Sequence, residues 1–229
     1  MSDRSARERI LNVAEELFAE SGLEGVSLRA INAAAGLSPA ALHYHFGTKE
    51  KLLEAILLRR MPALMAKRRE LLDAIENDDD PPTARQVVEA IVGPLLDLVL
   101  EQGDDGIRYA RFIARAWSDR RLDPAFIREH FGNGIERIGP MAQRALPDLP
   151  PELVSIRLGI ALETSLRSLA DLMVPAATSG PDAAPLEARE RGAALIDFIS
   201  GGFEATNHIA IRTFKPKAGN KRSPKGARQ

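Results

Sequence analysis

Apolar positions recur at helical spacing along most of the chain. Ile10, Leu11, Ala14, Leu17 and Phe18 fall on one stripe, the pattern of a helix that buries one face. Ser5-Ala6-Arg7-Glu8 fits a capping box ahead of it, and Gly22 is placed to stop it in the left-handed conformation. Ser27 predicts the cap of a second short helix with Leu28, Ile31 and Ala35 on one side, and Gly36-Leu37 breaks that helix. Ser38-Pro39 reads as N-cap and first turn of a third helix ending near Phe46-Gly47, because proline's fixed φ suits that position. Thr48 predicts the cap of a fourth helix that runs toward Glu76, with Pro62 bending it or ending it early.

Downstream, Asn77-Asp78-Asp79-Asp80-Pro81-Pro82 is a loop, and Thr83-Ala84-Arg85-Gln86 is a second capping box. It opens a helix to about Gln102, with a kink expected at Gly93-Pro94. Helices are expected over 105–118, 124–145, 151–173 and 185–209. Asp123-Pro124 forms a cap pair, Gly132-Asn133-Gly134 is a candidate interruption, and prolines punctuate 147–151 and 175–185. No period-two run bounded by turn residues occurs, so no strand is expected. The fold class is therefore all-α. A three-helix unit with a helix-turn-helix at its core (1–50) precedes a larger helical domain (51–211), and 212–229 is a tail expected to lack fixed structure.

Composition narrows the function. The 229 residues contain no cysteine, which excludes a disulfide scaffold, a thiolate zinc site and a cysteine nucleophile. No apolar run approaches the roughly 18 residues of a membrane span, and the first residues have no signal core. A cytoplasmic location is expected, with no membrane partner. The net charge of −1 hides an asymmetry: 212–229 carries +7, which leaves −8 for the rest. Such a body does not coat nucleic acid through charge alone, so any DNA contact needs a local surface. One exists, because 27–51 carries +2 while 1–26 carries −3.

That surface is the helix-turn-helix, Ser27 to Phe46. Its first helix needs small apolar residues where the second crosses, namely Ile31, Ala34 and Ala35, and its turn needs a residue that accepts positive φ, Gly36. The second helix buries Leu42 and Phe46. Ala40, Ala41, His43 and Tyr44 are expected on the free side, where methyl groups can approach base edges and touch thymine methyls. His43 or Tyr44 can hydrogen-bond to bases or phosphates.

The run from Ser27 to Leu52, with Arg9-Ile10-Leu11, Ala14-Glu15-Glu16-Leu17-Phe18 and Gly22 before it, resembles the signature of TetR-type transcriptional regulators. The resemblance implies an all-helical homodimer with an N-terminal DNA-binding domain and a C-terminal ligand-binding and dimerisation domain. It places Arg29, Pro39, Ala40, Ala41 and His43 at base-contacting positions, with Ser38 beside them. It places Ser27, Tyr44, His45, Thr48 and Lys49 at phosphates, Lys49 beginning a helix whose amides attract an anion. Two positions depart from the family pattern: His43 stands where tyrosine is usual. Asn32 stands where alanine is usual, and is expected at the surface or pairing with backbone. The implied partners are a pseudo-palindromic double-stranded operator, a small-molecule effector and a second copy of the chain. The implied activity is regulation, as a repressor released by an apolar ligand. The alternative is a ligand-independent activator or an architectural DNA-binding protein.

The remaining candidates are weighed against plainer roles. Tyr109, Phe112, Trp117, Phe126 and Phe131 cluster in two consecutive predicted helices and read as core or as the wall of an apolar effector pocket. Two stretches, 111–118 and 145–153, are similar to fatty-acid-responsive members of the family, which implies a fatty acid or acyl-CoA. Ile160, Leu166 and Leu169 on one helix and Ile196, Ile199 and Phe203 on another are candidates for the dimer contact. No metal or cofactor site is expected, since His43 and His45 point to different sides of their helix, His130 and His208 are isolated, and Asp78-Asp79-Asp80 lacks calcium-loop spacing. No catalytic constellation is found, so no enzyme is expected.

Overall fold

The computed structural model describes residues 3–118, 123–172 and 187–207, side chains at positions 3, 39, 131, 133 and 135 excepted. Within them every regular element is a helix, in the order α1 (Asp3–Gly25), α2 (Leu28–Ala34), α3 (Pro39–Phe46), α4 (Lys49–Leu58), α5 (Met61–Glu76), α6 (Ala84–Gln102), α7 (Asp104–Ser118), α8 (Pro124–Ala145), α9 (Pro151–Ala170) and α10 (Ala188–Glu204). None is long and apolar enough to cross a membrane. The basic tail and His208 lie outside the described residues.

Most expected boundaries appear where their chemistry puts them. The Ser27 hydroxyl accepts from the Ala30 amide, the Thr48 hydroxyl from Lys51, and Thr83 and Gln86 close a full capping box. Ser38 occupies the N-cap of α3 without a side-chain bond. Gly22 does not stop α1. It takes φ +75° and kinks the helix, which resumes to Gly25. The long helix after Thr48 ends at Leu58 and restarts at Met61, with Pro62 in its first turn as proline's missing amide favours. No break accompanies Gly132-Asn133-Gly134, and α8 runs through it.

Pro94 also leaves α6 continuous. A proline there deprives the Ala90 carbonyl of its usual donor four residues on. Arg68 of α5 replaces that donor: its Nε donates to Ala90 O and its NH2 to Ile91 O, both at 3.0 Å. Burial lowers the Arg68 guanidinium to about 10. Around α6 gather α5, α7 and α10, and its Val87, Val88, Val92 and Val99 are buried. The turn into α7 is so tight that a Cβ on Gly106 would lie 2.6 Å from the Leu98 carbonyl oxygen.

The N-terminal unit is not detached from this body. Its α1 lies along α7, with the Phe18 and Phe112 rings stacked at 6.3 Å. From α7, Arg115 donates to the carbonyls of Ala19 at 2.9 Å and Glu20 at 3.2 Å.

Candidate nucleic-acid interface

The helix-turn-helix is built by α2 and α3 packed on α1 and α4. Ile31, Ala35 and Leu42 are buried, and Phe46 closes the same cluster with the Arg7 guanidinium 5.2 Å above its ring. Gly36 takes φ +62°, the conformation its turn requires. Two expectations about this packing change. Ala34 is exposed rather than in the crossing, because the helical period gives the inward place to Ala35, four residues after Ile31. Asn32 is buried, 4% exposed, which sets aside the surface half of its expectation.

With Leu42 and Phe46 inward, the helical period turns Ala40, His43 and Tyr44 outward, at spacings of three and one. All three are exposed, Tyr44 to 77%. Ala41 and His45, four apart, form the half-buried flank, so Ala41 lies at the margin of the free face rather than on it. His45 meets the Tyr44 ring edge-on at 5.1 Å. Pro39 begins α3, and its side chain is outside the described set. The Nδ1 of His43 lies 2.9 Å from the Gly47 carbonyl. A carbonyl only accepts, so Nδ1 carries the proton, and in the neutral ring Nε2 is the acceptor.

The phosphate candidates divide. Ser27, Ser38, Arg29 and Thr48 are exposed. In capping their helices, Ser27 and Thr48 use one oxygen lone pair each, which leaves the hydroxyl hydrogen free in direction to donate to a phosphate oxygen. Lys49 is different. Its Nζ donates to the carbonyl of Leu23 and, at 2.6 Å, to that of Val26, and it sits 5.6 Å from the centre of the Phe18 ring. The side chain therefore turns inward and ties the start of α4 to the end of α1. What Lys49 offers a phosphate is its backbone amide at the helix N-terminus.

The candidates in the larger domain also separate. Tyr109 and Phe112 have no exposure and Phe126 has 7%, so these rings are packing. The Tyr109 hydroxyl donates to Leu57 O at 2.7 Å, and burial pushes its phenol far above the usual range. Phe131 lies outside the described side chains. Trp117 lines a cleft framed by arginines as well as apolar groups. Of the dimer candidates, Leu166, Leu169, Ile196, Ile199 and Phe203 are buried within the subunit, while Ile160 is 60% exposed. The apolar side chains that reach outward on the same two helices are Ile156, Ile160 and Phe198, the last 75% exposed.

Sequence reasoning missed a buried ion cluster. The Glu15 carboxylate is 2% exposed on the apolar face of α1 and meets Arg60 NH1 at 2.9 and 3.0 Å and Arg59 NH1 at 3.4 Å. Both arginines occupy the break between α4 and α5. The signal was present: Glu15 follows Leu11 by four and precedes Phe18 by three, which puts a carboxylate inside the apolar stripe.

Residues 10–56 match the family model described as bacterial regulatory proteins, tetR family, and residues 89–202 match a tetracyclin repressor-like C-terminal domain. The HTH-type transcriptional regulator UidR of Escherichia coli (strain K12) is 38% identical over 86 residues, covering 38% of this chain and 41% of that protein. The HTH-type transcriptional repressor KstR2 of Mycobacterium tuberculosis (strain ATCC 25618 / H37Rv) is 33% identical over 73 residues, 32% of this chain and 36% of that one. The chain thus matches less than half the length of these relatives. Among solved structures, the ketosteroid transcriptional regulator KstR2 of Mycobacterium tuberculosis aligns with a TM-score of 0.55 at 20% identity, over 86% of this chain and 93% of that one. A bacterial regulatory protein in the tetR family from Rhodococcus RHA1 aligns with a TM-score of 0.56 at 21% identity, over 88% and 98%. At such identities the likeness is one of fold.

Proposed function

The chain belongs to the TetR family of bacterial regulatory proteins, and from that premise we propose that it is a homodimeric, sequence-specific repressor that lets go of its operator when a small molecule occupies the larger domain. The observation that carries the reading is the outward stripe of α3: a methyl, an imidazole and a phenol, with capped helix starts at Ser27 and Thr48 on either side. A methyl at the centre lets the helix approach base edges. The polar rings supply hydrogen bonds, and the helix starts supply phosphate partners that fix register without reading sequence. The name of one relative, a transcriptional repressor, supports the sign of regulation.

Two copies joined through α9 and α10 would set the spacing of the two α3 helices. Ile156, Ile160 and Phe198 supply an apolar surface there, beside a shallow hollow of about 230 Å³ lined by Ala161, Gly202 and Phe203. A second copy, with the same surface, is its natural complement. Replacing Ile160 and Phe198 together by aspartate is expected to yield 25.0 kDa monomers in sedimentation, with helical content retained because both side chains are exposed in the single subunit. A dimer that persists would move the contact elsewhere.

An effector acts on the operator only through its different affinity for two dimer forms. A coupling of roughly 1–3 kcal/mol weakens DNA binding about 5–150-fold. The deciding experiment is footprinting on genomic fragments selected with the full chain. A short protected region with two half-sites about one helical turn apart is expected. Broad, cooperative protection without symmetry would favour the architectural alternative.

A further inference from the structure

We propose that the cleft beside Trp117 binds an anion with an apolar body, its charged head held by Arg111, Arg115 and Arg167. The inference rests on the ligand-responsive reading above and gives it a place and a chemical class. The cleft lies between α1 at Ala19, the last turns of α7, and α9, and measures about 590 Å³. That is within the range of small-molecule sites. Ala114 and Leu166 contribute apolar lining. Past Trp117 and Ser118 a neighbouring hollow of about 770 Å³ continues to Pro124 and Ile127. Trp117, Glu163 and Arg167 line both hollows, while Arg111 and Arg115 line the first and Pro124 and Ile127 the second.

The cleft is lined by three guanidiniums and three carboxylates, and it is their pairing, not their sum, that points to an anion. Arg115 makes its hydrogen bonds to two neutral carbonyls, Ala19 O and Glu20 O, and has no carboxylate within 4 Å among the described residues. Arg111 donates to the neutral carbonyl of Ala170. Its nearest carboxylate is Asp171 at 4.0 Å, which Arg167 shares at 3.9 Å. A single carboxylate at the limit of ion-pair distance thus serves two of three guanidiniums. Glu20 and Glu163 also line the cleft, are exposed, and pair with none of the three. Those rim carboxylates favour a head of one negative charge over a polyanion. A carboxylate on Arg115 would take donors that the α1 carbonyls leave free and draw the guanidinium toward the cleft. The head would therefore loosen the bond between the DNA-binding unit and α7 at the point where it is made.

Trp117 is the chain's single tryptophan and reports occupancy directly. The full-length protein is titrated with 4-phenylbutyrate, with 4-phenylbutanol as the uncharged counterpart and inorganic phosphate as a head without a body. A saturable change in Trp117 emission is expected with the acid, at least about tenfold weaker with the alcohol. Arg167→Gln is expected to weaken the acid about tenfold and Arg167→Glu further. The unfolding midpoint of either should stay put, since the Arg167 side chain is 85% exposed. Equal affinity for acid and alcohol, indifference to Arg167→Glu, or phosphate binding as tightly as the acid would each overturn the proposal. Operator affinity is measured on the same ligand-free sample. If it is intact, a failed titration removes the cleft and leaves the regulator reading standing.

Discussion

Ala40→Glu is expected to weaken operator binding by about 100-fold at fixed salt while leaving the fold untouched. The two halves of that expectation have separate causes. Ala40 is exposed in the first turn of α3, where a carboxylate is favourable to the helix dipole and displaces nothing. Thermal unfolding followed by circular dichroism should therefore match the parent. On DNA the same carboxylate meets a polyanion, and its length holds the helix away from base edges that a methyl could reach. Fluorescence anisotropy with the footprinted operator measures the loss. Tyr44→Ala, which removes one polar contact and adds no repulsion, should cost less, about tenfold. An Ala40→Glu protein that keeps parental affinity would mean that another surface faces the duplex. Lys49→Ala is unsuited to this purpose: it leaves the Leu23 and Val26 carbonyls without their donor, so lost DNA binding would not be separable from a loosened fold.

What the sequence disclosed and what it withheld follow one division. Local chemistry was legible. Caps, loop prolines and the glycine turn state their business within three or four residues, and Ser27, Gly36, Thr48 and Thr83 all act as their spacing predicts. The buried side of α3 was equally legible from Leu42 and Phe46. Contacts between distant segments were not. Lys49 reads as an exposed cation at a helix start, yet carbonyls 23 and 26 positions earlier claim it. Pro94 reads as a kink until Arg68 is seen to replace the missing donor. The dimer candidates divided, Ile160 exposed and the others buried within the subunit, for a related reason. A helix with apolar residues on two sides offers no sign in its sequence of which side its own domain takes, and the domain took Ile196, Ile199 and Phe203, leaving Phe198 outside. Arginine and lysine donating to backbone carbonyls recur at Lys49, Arg68, Arg111, Arg115 and Arg157. Such bonds leave no trace in charge pairing along the chain.

The largest stability effect should come from Glu15→Ala. The carboxylate holds two guanidiniums in a nearly dry place, and further contacts tie the Arg60 guanidinium to the larger domain. Arg60 Nε donates to Gln102 Oε1 at 3.2 Å, and its guanidinium lies 4.9 Å from the Tyr109 ring centre. Arg59 reaches Glu8 at 3.4 Å as well. Deleting Glu15 leaves adjacent like charges with no shared counterion, and breaking a buried pair from one side costs about 3–5 kcal/mol. For a chain of this size that lowers the unfolding midpoint by roughly 6–20 °C. Glu15→Gln keeps the shape and some hydrogen bonding, so it should fall between the two. The double change Glu15→Leu with Arg60→Met removes both sides of the pair, and should recover much of the loss, because apolar substitutes avoid the desolvation that an ion pair suffers. Additive losses in the double variant would show that the two residues stabilise the protein independently. The location gives the cluster a further consequence. It joins α1 to the α4–α5 break and, through Tyr109, to α7, so Arg60 and the Tyr109–Leu57 bond form one route by which motion of α7 reaches α4, beside the route through α1 and Lys49. Glu15→Gln should therefore alter operator affinity although the residue lies on the buried face of α1, remote in sequence from α3. Anisotropy at a temperature well below its unfolding midpoint isolates that effect from stability, and an unchanged affinity there would confine the cluster to holding the two units together.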